Sequence, residues 1–323
     1  MKSPNDFKNK RSKMQIKKLI KIIGNIVMIA AIIFVIKRIV GMDIKLSDLR
    51  NGKVIVSLGI CFVFQTMIII FSCYPWLMFT RVLSGRSISF SAAMPVYTQS
   101  NLYKYIPGNV FQYVGRNQLA TEMEISHVDV ACATVMDIFF CVLWTAVISV
   151  ILLGGRIFEL FRRYGMVILI TAIVGIAVII AVVLLCRLKF RERFRKIILR
   201  YAKAFEKEKR SMLLRGIFYY LFQNAVSAAM YFACLTLIIP NADVKNLTML
   251  TGAYMFAWII GFVTIGAPGG IGIREGVMIF VCGGSYPDRI VLFVLIMRIA
   301  CIGADVAAFI IGKIYALKKR NGT

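Results

Sequence analysis

The sequence is poor in the residues that carry most enzyme chemistry. It has one histidine, His127, and 15 acidic residues against 40 lysines and arginines. A single histidine excludes a multi-histidine metal centre and does not favour a histidine-dependent catalytic triad. No two of the eight cysteines have C-x-x-C spacing, so neither a zinc site nor a disulfide framework is indicated. We expect no metal site.

The sequence also lacks the glycine-rich motifs that bind nucleotides. Its most glycine-rich stretch, Gly266–Gly276, is not followed by Gly-Lys-Ser/Thr and does not have G-x-G-x-x-G spacing. No soluble strand precedes it, as either motif would require. We therefore expect no ATP site, no cofactor and no enzymatic activity of a common soluble type.

Apolar residues are abundant, at 59% of the 323 residues, and the mean hydropathy is +0.78. This share exceeds that of soluble domains, and several runs approach the ~20 apolar residues that cross a bilayer. The net charge of +25 lies mainly between the apolar runs and at the chain ends. This pattern is typical of cytoplasmic loops and argues against nucleic-acid binding. The sequence predicts a polytopic membrane protein.

Six apolar segments are strong enough to predict transmembrane helices, and two more are interrupted by proline and glycine. The predicted spans are 19–40, 54–80, 129–154, 164–186, 213–239 and 289–312. The interrupted segments are 88–115 and 248–283.

Charge predicts the orientation. The basic N-terminus 1–18, the tail 316–323 and loop 187–215, which carries twelve lysines and arginines, are assigned to the cytoplasm. With these regions inside, each interrupted segment begins and ends on one side, as a re-entrant hairpin would. Ordinary kinked transmembrane helices stay an alternative, since proline and glycine are tolerated there. Loop 37–53 is an exception, because it is basic and yet falls outside.

The arrangement predicts an inverted repeat. Units of about 54–154 and 213–312 each contain a helix, a hairpin and a second helix, in opposite orientations, as in many transporters. The expected fold is an all-α polytopic membrane helix bundle with about six full spans and two re-entrant hairpins. It forms a single domain over 19–315 in the cell membrane, with both termini cytoplasmic.

The first interrupted segment contains a motif that runs from Asn101 to Arg116. Its Pro107-Gly108 pair can break a helix and free backbone groups that lipid cannot satisfy. Cationic and amide side chains around the break suit a phosphate or sugar headgroup. An interfacial segment whose polar residues lie at headgroup level is an equally good interpretation. The candidate headgroup-binding residues here are Lys104, Asn109, Gln112 and Arg116.

The second motif is Gly266–Gly276, which leads into the apolar run 277–282. Glycines 269, 270 and 272 are expected to expose backbone N–H groups at a helix N-terminus, which attracts anions. Arg274 adds a fixed charge with donors that fit phosphate. The negative charge of Glu275 in the first turn interacts favourably with the helix dipole. Its alternative role is therefore helix capping or pairing with an arginine. The candidate headgroup-binding residues here are Gly269, Gly270, Gly272 and Arg274.

Ionisable residues inside the predicted spans form a candidate charge network. Asp137, Arg298 and Asp305 lie in apolar runs, where charges are costly and usually functional; Glu275 completes the set. Asp137 follows Pro107 by thirty positions and Arg298 follows Pro268 by thirty. A structural ion pair across the repeat interface and a headgroup or proton relay are both open.

The two motifs resemble those of the lysylphosphatidylglycerol synthase transmembrane region family, also described as a flippase-like membrane domain. The resemblance covers roughly 15–315. It implies a bacterial or archaeal cytoplasmic-membrane protein that moves a lipid, or a lipid-linked group, between leaflets. The motif residues it carries over are Pro107, Gly108, Gln112, Gly115, Arg116, Pro268, Gly269, Gly270, Gly272, Arg274 and Glu275. In the best-known members a soluble synthase domain follows; this sequence stops at Thr323, so we expect no aminoacylation.

Three functional hypotheses follow. The first is a flippase-like transporter of a phospholipid or lipid-linked glycan, with membrane lipids bearing anionic or phosphate groups as its partners. The second is a non-transporting accessory subunit of envelope glycan or lipid assembly, which would have an envelope-biosynthesis partner. The third is a membrane-embedded transferase acting on a lipid-linked sugar, with Asp137 or Glu275 as general base.

Overall fold

A computed structural model describes residues 51–105, 111–121, 123–159, 162, 207–264, 270, 272–282 and 286–321. About 90% of this structure is helical, and no strand occurs in the part described. The all-α prediction is confirmed at that level. The predicted spans 19–40 and 164–186, the N-terminus and most of the basic loop 187–215 lie outside the described residues.

The structure gives the bounds of nine helices and a short 3₁₀ turn, and residues 155–159 are helical as well. Helices α1 to α5 are Gly52–Phe71, Cys73–Ser84, Phe90–Leu102, Phe111–Thr121 and His127–Leu153, with the 3₁₀ turn Tyr103–Tyr105 between α3 and α4. Helices α6 to α9 are Lys207–Ile238, Val244–Val263, Ile273–Val281 and Pro287–Asn321.

Five stretches of the described chain are long and apolar enough to cross a membrane. Four of them contain the predicted spans 54–80, 129–154, 213–239 and 289–312 to within one residue. The fifth is α7, which belongs to the interrupted segment 248–283. Side chains that face outward are largely aliphatic or aromatic, for example Val135, Phe139 and Ile151 on α5, each more than half exposed. Lipid is the solvent that suits such a surface.

Local sequence fixes where several helices begin. The side chains of Ser89, Ser126 and Asp243 each accept a hydrogen bond from a backbone N–H in the first turn of the helix that follows. These groups would otherwise have no partner inside the helix. At the end of α2, Gly85 adopts φ 70°, a left-handed conformation that terminates the helix cheaply.

The two predicted repeat units are packed into each other. Helix α9 of the second unit lies against α1 and α3 of the first, and α7 of the second lies against α5 of the first. Helix α9 is the most central, since 56% of its most apolar window is buried. Residues close together in space are therefore drawn from distant parts of the chain.

The two interrupted segments differ in helix length. In 88–115, α3 has 13 residues and α4, which extends to Thr121, has 11. At 1.5 Å per residue neither reaches the ~30 Å of a bilayer core. In 248–283, α7 has 20 residues and α8 has nine. The proline and four of the glycines of this segment lie in 266–272, after the end of α7, and the two glycines inside α7, Gly252 and Gly261, do not interrupt the helix. Helix α7 is therefore long enough to cross. The repeat and the re-entrant hairpins therefore stay predictions.

Candidate functional site

A cavity of about 470 Å³ lies between the helices of the two units. Its wall includes side chains from both interrupted segments and from the long helices that pack against them. Six predicted site residues line it: Lys104, Gln112, Arg116, Asp137, Arg274 and Arg298. The structure thus brings charged residues that are up to 194 positions apart in the sequence to one space.

Arg116 and Asp137 form a buried ion pair at the side of the first unit. The Arg116 Nη1 lies 3.1 Å from the Asp137 Oδ2, and the two side chains are 3% and 6% exposed. Tyr220 and Tyr97 donate further hydrogen bonds to the same carboxylate. The guanidinium also lies over the ring of Tyr97, 3.9 Å from its centroid. Arg116 is therefore fully engaged by the protein itself.

Lys104 and Asp305 form the ion pair that joins the units. The Lys104 Nζ, in the 3₁₀ turn, lies 2.7 Å from the Asp305 Oδ2 on α9. Asn101 donates to the same carboxylate at 2.8 Å, and the Tyr105 hydroxyl donates to it as well. The Asp305 side chain is fully buried. Three donors from one short segment of the first unit thus surround a carboxylate of the second.

Glu275 and Arg298 form the third pair. The Arg298 Nε and Nη2 lie 2.7 and 3.1 Å from the two Glu275 carboxylate oxygens, a two-point contact. Arg298 also donates to the Gly270 carbonyl at 2.7 Å, which ties the glycine-rich turn to α9. Gly272, with φ 80°, is the N-cap residue of α8. Of the alternative roles expected for Glu275, pairing with an arginine is therefore the one observed.

Arg274 differs from the other cations of the cavity. Among the described residues, no carboxylate lies within ion-pair distance of Arg274, and its buried Nε has no hydrogen-bond partner. Its aliphatic stem passes against Gly261: a methyl group there would lie 3.0 Å from Cγ and 3.2 Å from Nε. A Cβ added to Gly270 would lie 2.9 Å from the Gly261 Cα, so neither position has room for a larger side chain. Small residues thus create the space that Arg274 occupies.

Gly115, a residue of the first motif, has a packing role. A Cβ at this position would lie 2.2 Å from Cδ2 of the Tyr103 ring. Only glycine lets α4 approach the 3₁₀ turn this closely. The approach brings Gln112 and Arg116 of α4 to the same cavity as Lys104.

The predicted candidates fall into four groups. The candidates that line the cavity are Lys104, Gln112, Arg116, Asp137, Arg274 and Arg298, whereas Gly270 and Gly272 shape the turn before α8. Glu275 and Asp305 lie behind the wall, paired with cations that line it. Asn109 and Gly269 lie outside the described residues, together with Pro107, Gly108 and Pro268.

Asp137 and Arg298, each of which lies thirty positions after a proline, do not pair with each other. Asp137 has its partner, Arg116, in the first unit, and Arg298 has Glu275 in the second. An ion pair between Asp137 and Arg298 across the repeat interface is therefore not the arrangement found. The pairing across the units is made by Lys104 and Asp305 instead.

Sequence reasoning missed the uncharged polar side chains of the cavity. Gln65, Gln223 and Asn224 lie inside apolar spans and line the cavity, as do the tyrosines of the same helices. Their amide groups are as unusual in a transmembrane helix as the charges that were singled out. A search for amides inside apolar runs would have found them.

No protein-family model matches this chain, and no curated protein and no solved structure matches it. The family resemblance of the two motifs therefore stays a prediction.

Proposed function

We propose that this protein is a flippase-like transporter that moves the headgroup of a phospholipid or lipid-linked glycan between the leaflets of the cytoplasmic membrane, with both termini cytoplasmic. Two observations support the location of the pathway. The cavity lies inside a bundle whose helices are long and apolar enough to cross a membrane. It is lined by polar and charged side chains, which a headgroup needs when it leaves water.

Arg274 is the observation that carries the proposal. It is an always-charged side chain at the cavity wall, and no described carboxylate neutralises it. Holding such a charge without a countercharge in a low-dielectric interior is unfavourable. An anionic headgroup would provide the missing countercharge, and guanidinium geometry fits phosphate oxygens.

The carboxylates support transport over a transferase activity. A general base needs a lone pair that can take a proton from substrate. Asp137 already accepts hydrogen bonds from Arg116, Tyr97 and Tyr220, and Glu275 accepts two from Arg298. Both are committed to neighbouring residues. A leaflet-exchange experiment distinguishes the proposed transport from an accessory role without transport.

The experiment is leaflet exchange of fluorescent phosphatidylglycerol in proteoliposomes, compared with protein-free vesicles. We expect the wild-type protein to accelerate exchange and Arg274→Ala to reduce the rate to that of empty vesicles. Arg289→Ala is the matched control, since Arg289 is exposed and does not line the cavity.

Two results would contradict the proposal. One is an unchanged rate in Arg274→Ala. The other is no acceleration of any lipid by protein that unfolds cooperatively, which would favour the accessory role.

A further inference from the structure

The charges around the cavity set a requirement on the headgroup, if the proposed transport is correct. Four cationic side chains line the cavity: Lys104, Arg116, Arg274 and Arg298. Three carboxylates, at positions 137, 275 and 305, each accept from one of these cations at 2.7–3.1 Å. The described wall therefore has one positive charge in excess, and it is located on Arg274.

The gaps within the two interrupted segments add no charge to this count. Residues 106–110 are Ile-Pro-Gly-Asn-Val, and residues 265–269 are Ile-Gly-Ala-Pro-Gly. Neither contains an ionisable side chain. Residue 271, an isoleucine, adds none either. A single negative charge on the ligand would thus balance the described wall.

A positively charged headgroup would meet no available partner at this wall. An ammonium group needs a carboxylate, and the three carboxylates nearby already accept from lysine, arginine, tyrosine or asparagine donors. An ammonium would also add to the unbalanced charge of Arg274. Like charges in a poorly solvated site repel strongly. Aminoacylated headgroups are therefore disfavoured.

The uncharged wall offers both donors and acceptors. The Gln65 amide nitrogen donates a hydrogen bond to the Tyr231 hydroxyl at 3.4 Å, so its amide oxygen can act as an acceptor for a ligand. The Gln223 amide oxygen accepts a hydrogen bond from the Ser72 hydroxyl at 2.9 Å, so its amide nitrogen can act as a donor to a ligand. A hydroxyl group can both donate and accept. This mixture, beside the aromatic rings of the cavity, suits a ligand rich in hydroxyl groups.

We propose that the headgroup recognised by this cavity carries one phosphodiester anion, bound by Arg274, and an otherwise uncharged, hydroxyl-bearing group. Polyol phosphates and sugar phosphates share this chemistry. The proposal rests on the proposed function, because it names the substrate class of the same site. It predicts discrimination by charge as well as by the presence of hydroxyl groups.

The test compares labelled lipids in the same proteoliposomes. Phosphatidylglycerol and phosphatidylinositol are the anionic, hydroxyl-bearing probes, and they separate a polyol from a sugar-like ring. Lysylphosphatidylglycerol is the cationic probe, phosphatidylethanolamine the zwitterionic one, and glucosyl diacylglycerol the hydroxyl-bearing one without phosphate. We expect at least about tenfold faster exchange of one or both anionic probes than of the other three, because a headgroup that leaves a buried charge unpaired is strongly rejected.

A second measurement records binding without transport. Added short-chain phosphatidylglycerol or phosphatidylinositol should raise the unfolding temperature of the detergent-solubilised wild-type protein, whereas short-chain lysylphosphatidylglycerol should not. Arg274→Gln should lose this selectivity. Arg289→Ala should keep it.

The outcomes separate the two proposals. If lysylphosphatidylglycerol exchanges fastest, the protein transports lipid but the inferred headgroup class is wrong. If no lipid exchanges and the anionic probes still stabilise the protein selectively, the headgroup class holds and transport fails. If nothing exchanges and no lipid stabilises selectively, both proposals are overturned.

Discussion

The two halves of this molecule each contain one arginine–carboxylate pair beside the cavity, with the charges placed oppositely. In the first half the short helix α4 carries Arg116 and the long helix α5 carries Asp137; in the second, the short helix α8 carries Glu275 and the long helix α9 carries Arg298. Each pair joins a short helix to the long helix that follows it. The two halves thus contain the same kind of ion pair, with the positions of the arginine and the carboxylate exchanged.

The two pairs differ in burial. The Arg116–Asp137 pair is almost sealed, at 3% and 6% exposure, and two tyrosines and a serine complete its hydrogen bonds. Arg298 is 14% exposed, and Arg274 lies beside it without a carboxylate among the described residues. For the proposed transport, we infer that the first half provides a rigid wall and that the second provides the charge available to a ligand.

The largest expected effect is loss of the sealed pair. Asp137→Asn should destabilise the protein by about 3–5 kcal/mol, because Arg116 is left buried without a countercharge. Denaturant unfolding in detergent micelles measures the change. The control is Glu159→Gln, which breaks an exposed ion pair with Arg156 and should cost about 1 kcal/mol or less. Equal effects would show that the first pair is not the rigid wall inferred here.

Breaking the more open pair should cost less and should alter binding. Glu275→Gln is expected to destabilise by about 1–3 kcal/mol, since Arg298 keeps its bond to the Gly270 carbonyl and part of its solvation. It also removes the countercharge of a second cation at the cavity, so stabilisation by anionic lipid should increase. The same unfolding assay, with and without phosphatidylglycerol, measures both effects. A larger loss of stability than in Asp137→Asn would reverse the comparison.

The space around Arg274 can be narrowed without changing any charge. Gly261→Ala places a methyl group against the Arg274 stem and should weaken anionic-lipid binding by about 1 kcal/mol, roughly fivefold. Gly276→Ala is the matched control, since no atom lies within 4 Å of the added carbon. Lipid titration monitored by unfolding temperature compares the two. Equal affinity in both variants would mean that the position of Arg274 does not matter.

The smallest change is a cross-link that tests the packing of the first half against the second. The sulfurs of Cys61 on α1 and Cys234 on α6 lie 3.0 Å apart in the apolar core. A membrane-permeable oxidant should remove two protons and two electrons and join them, with little movement, since a disulfide needs about 2.05 Å. Peptide mapping by mass spectrometry should find this cross-link and lose it in Cys234→Ser. Absence of the cross-link after complete oxidant exposure would contradict the packing of α1 on α6.

Much of the fold follows from sequence, because long apolar runs need lipid and internally bonded backbone. This logic located the spans that became α1–α2, α5, α6 and α9. It failed to distinguish a hairpin arm from a full helix in α7, because a proline-glycine cluster marks where a helix ends but not how far the helix before it extends. Charges inside apolar runs were rare enough to be identified one by one.

Membrane-length helices and a small set of charges inside apolar runs can be read from composition along the chain. Which of these charges neutralise each other depends on the packing of the helices. The partners are 21, 23 and 201 positions apart, and no local pattern relates residues at such distances. Packing of α9 against the first half brought Asp305 to Lys104, and the pairings together left Arg274 as the described cavity cation without a carboxylate. That outcome depends on which helices touch, and contacts between distant helices are set by the whole bundle.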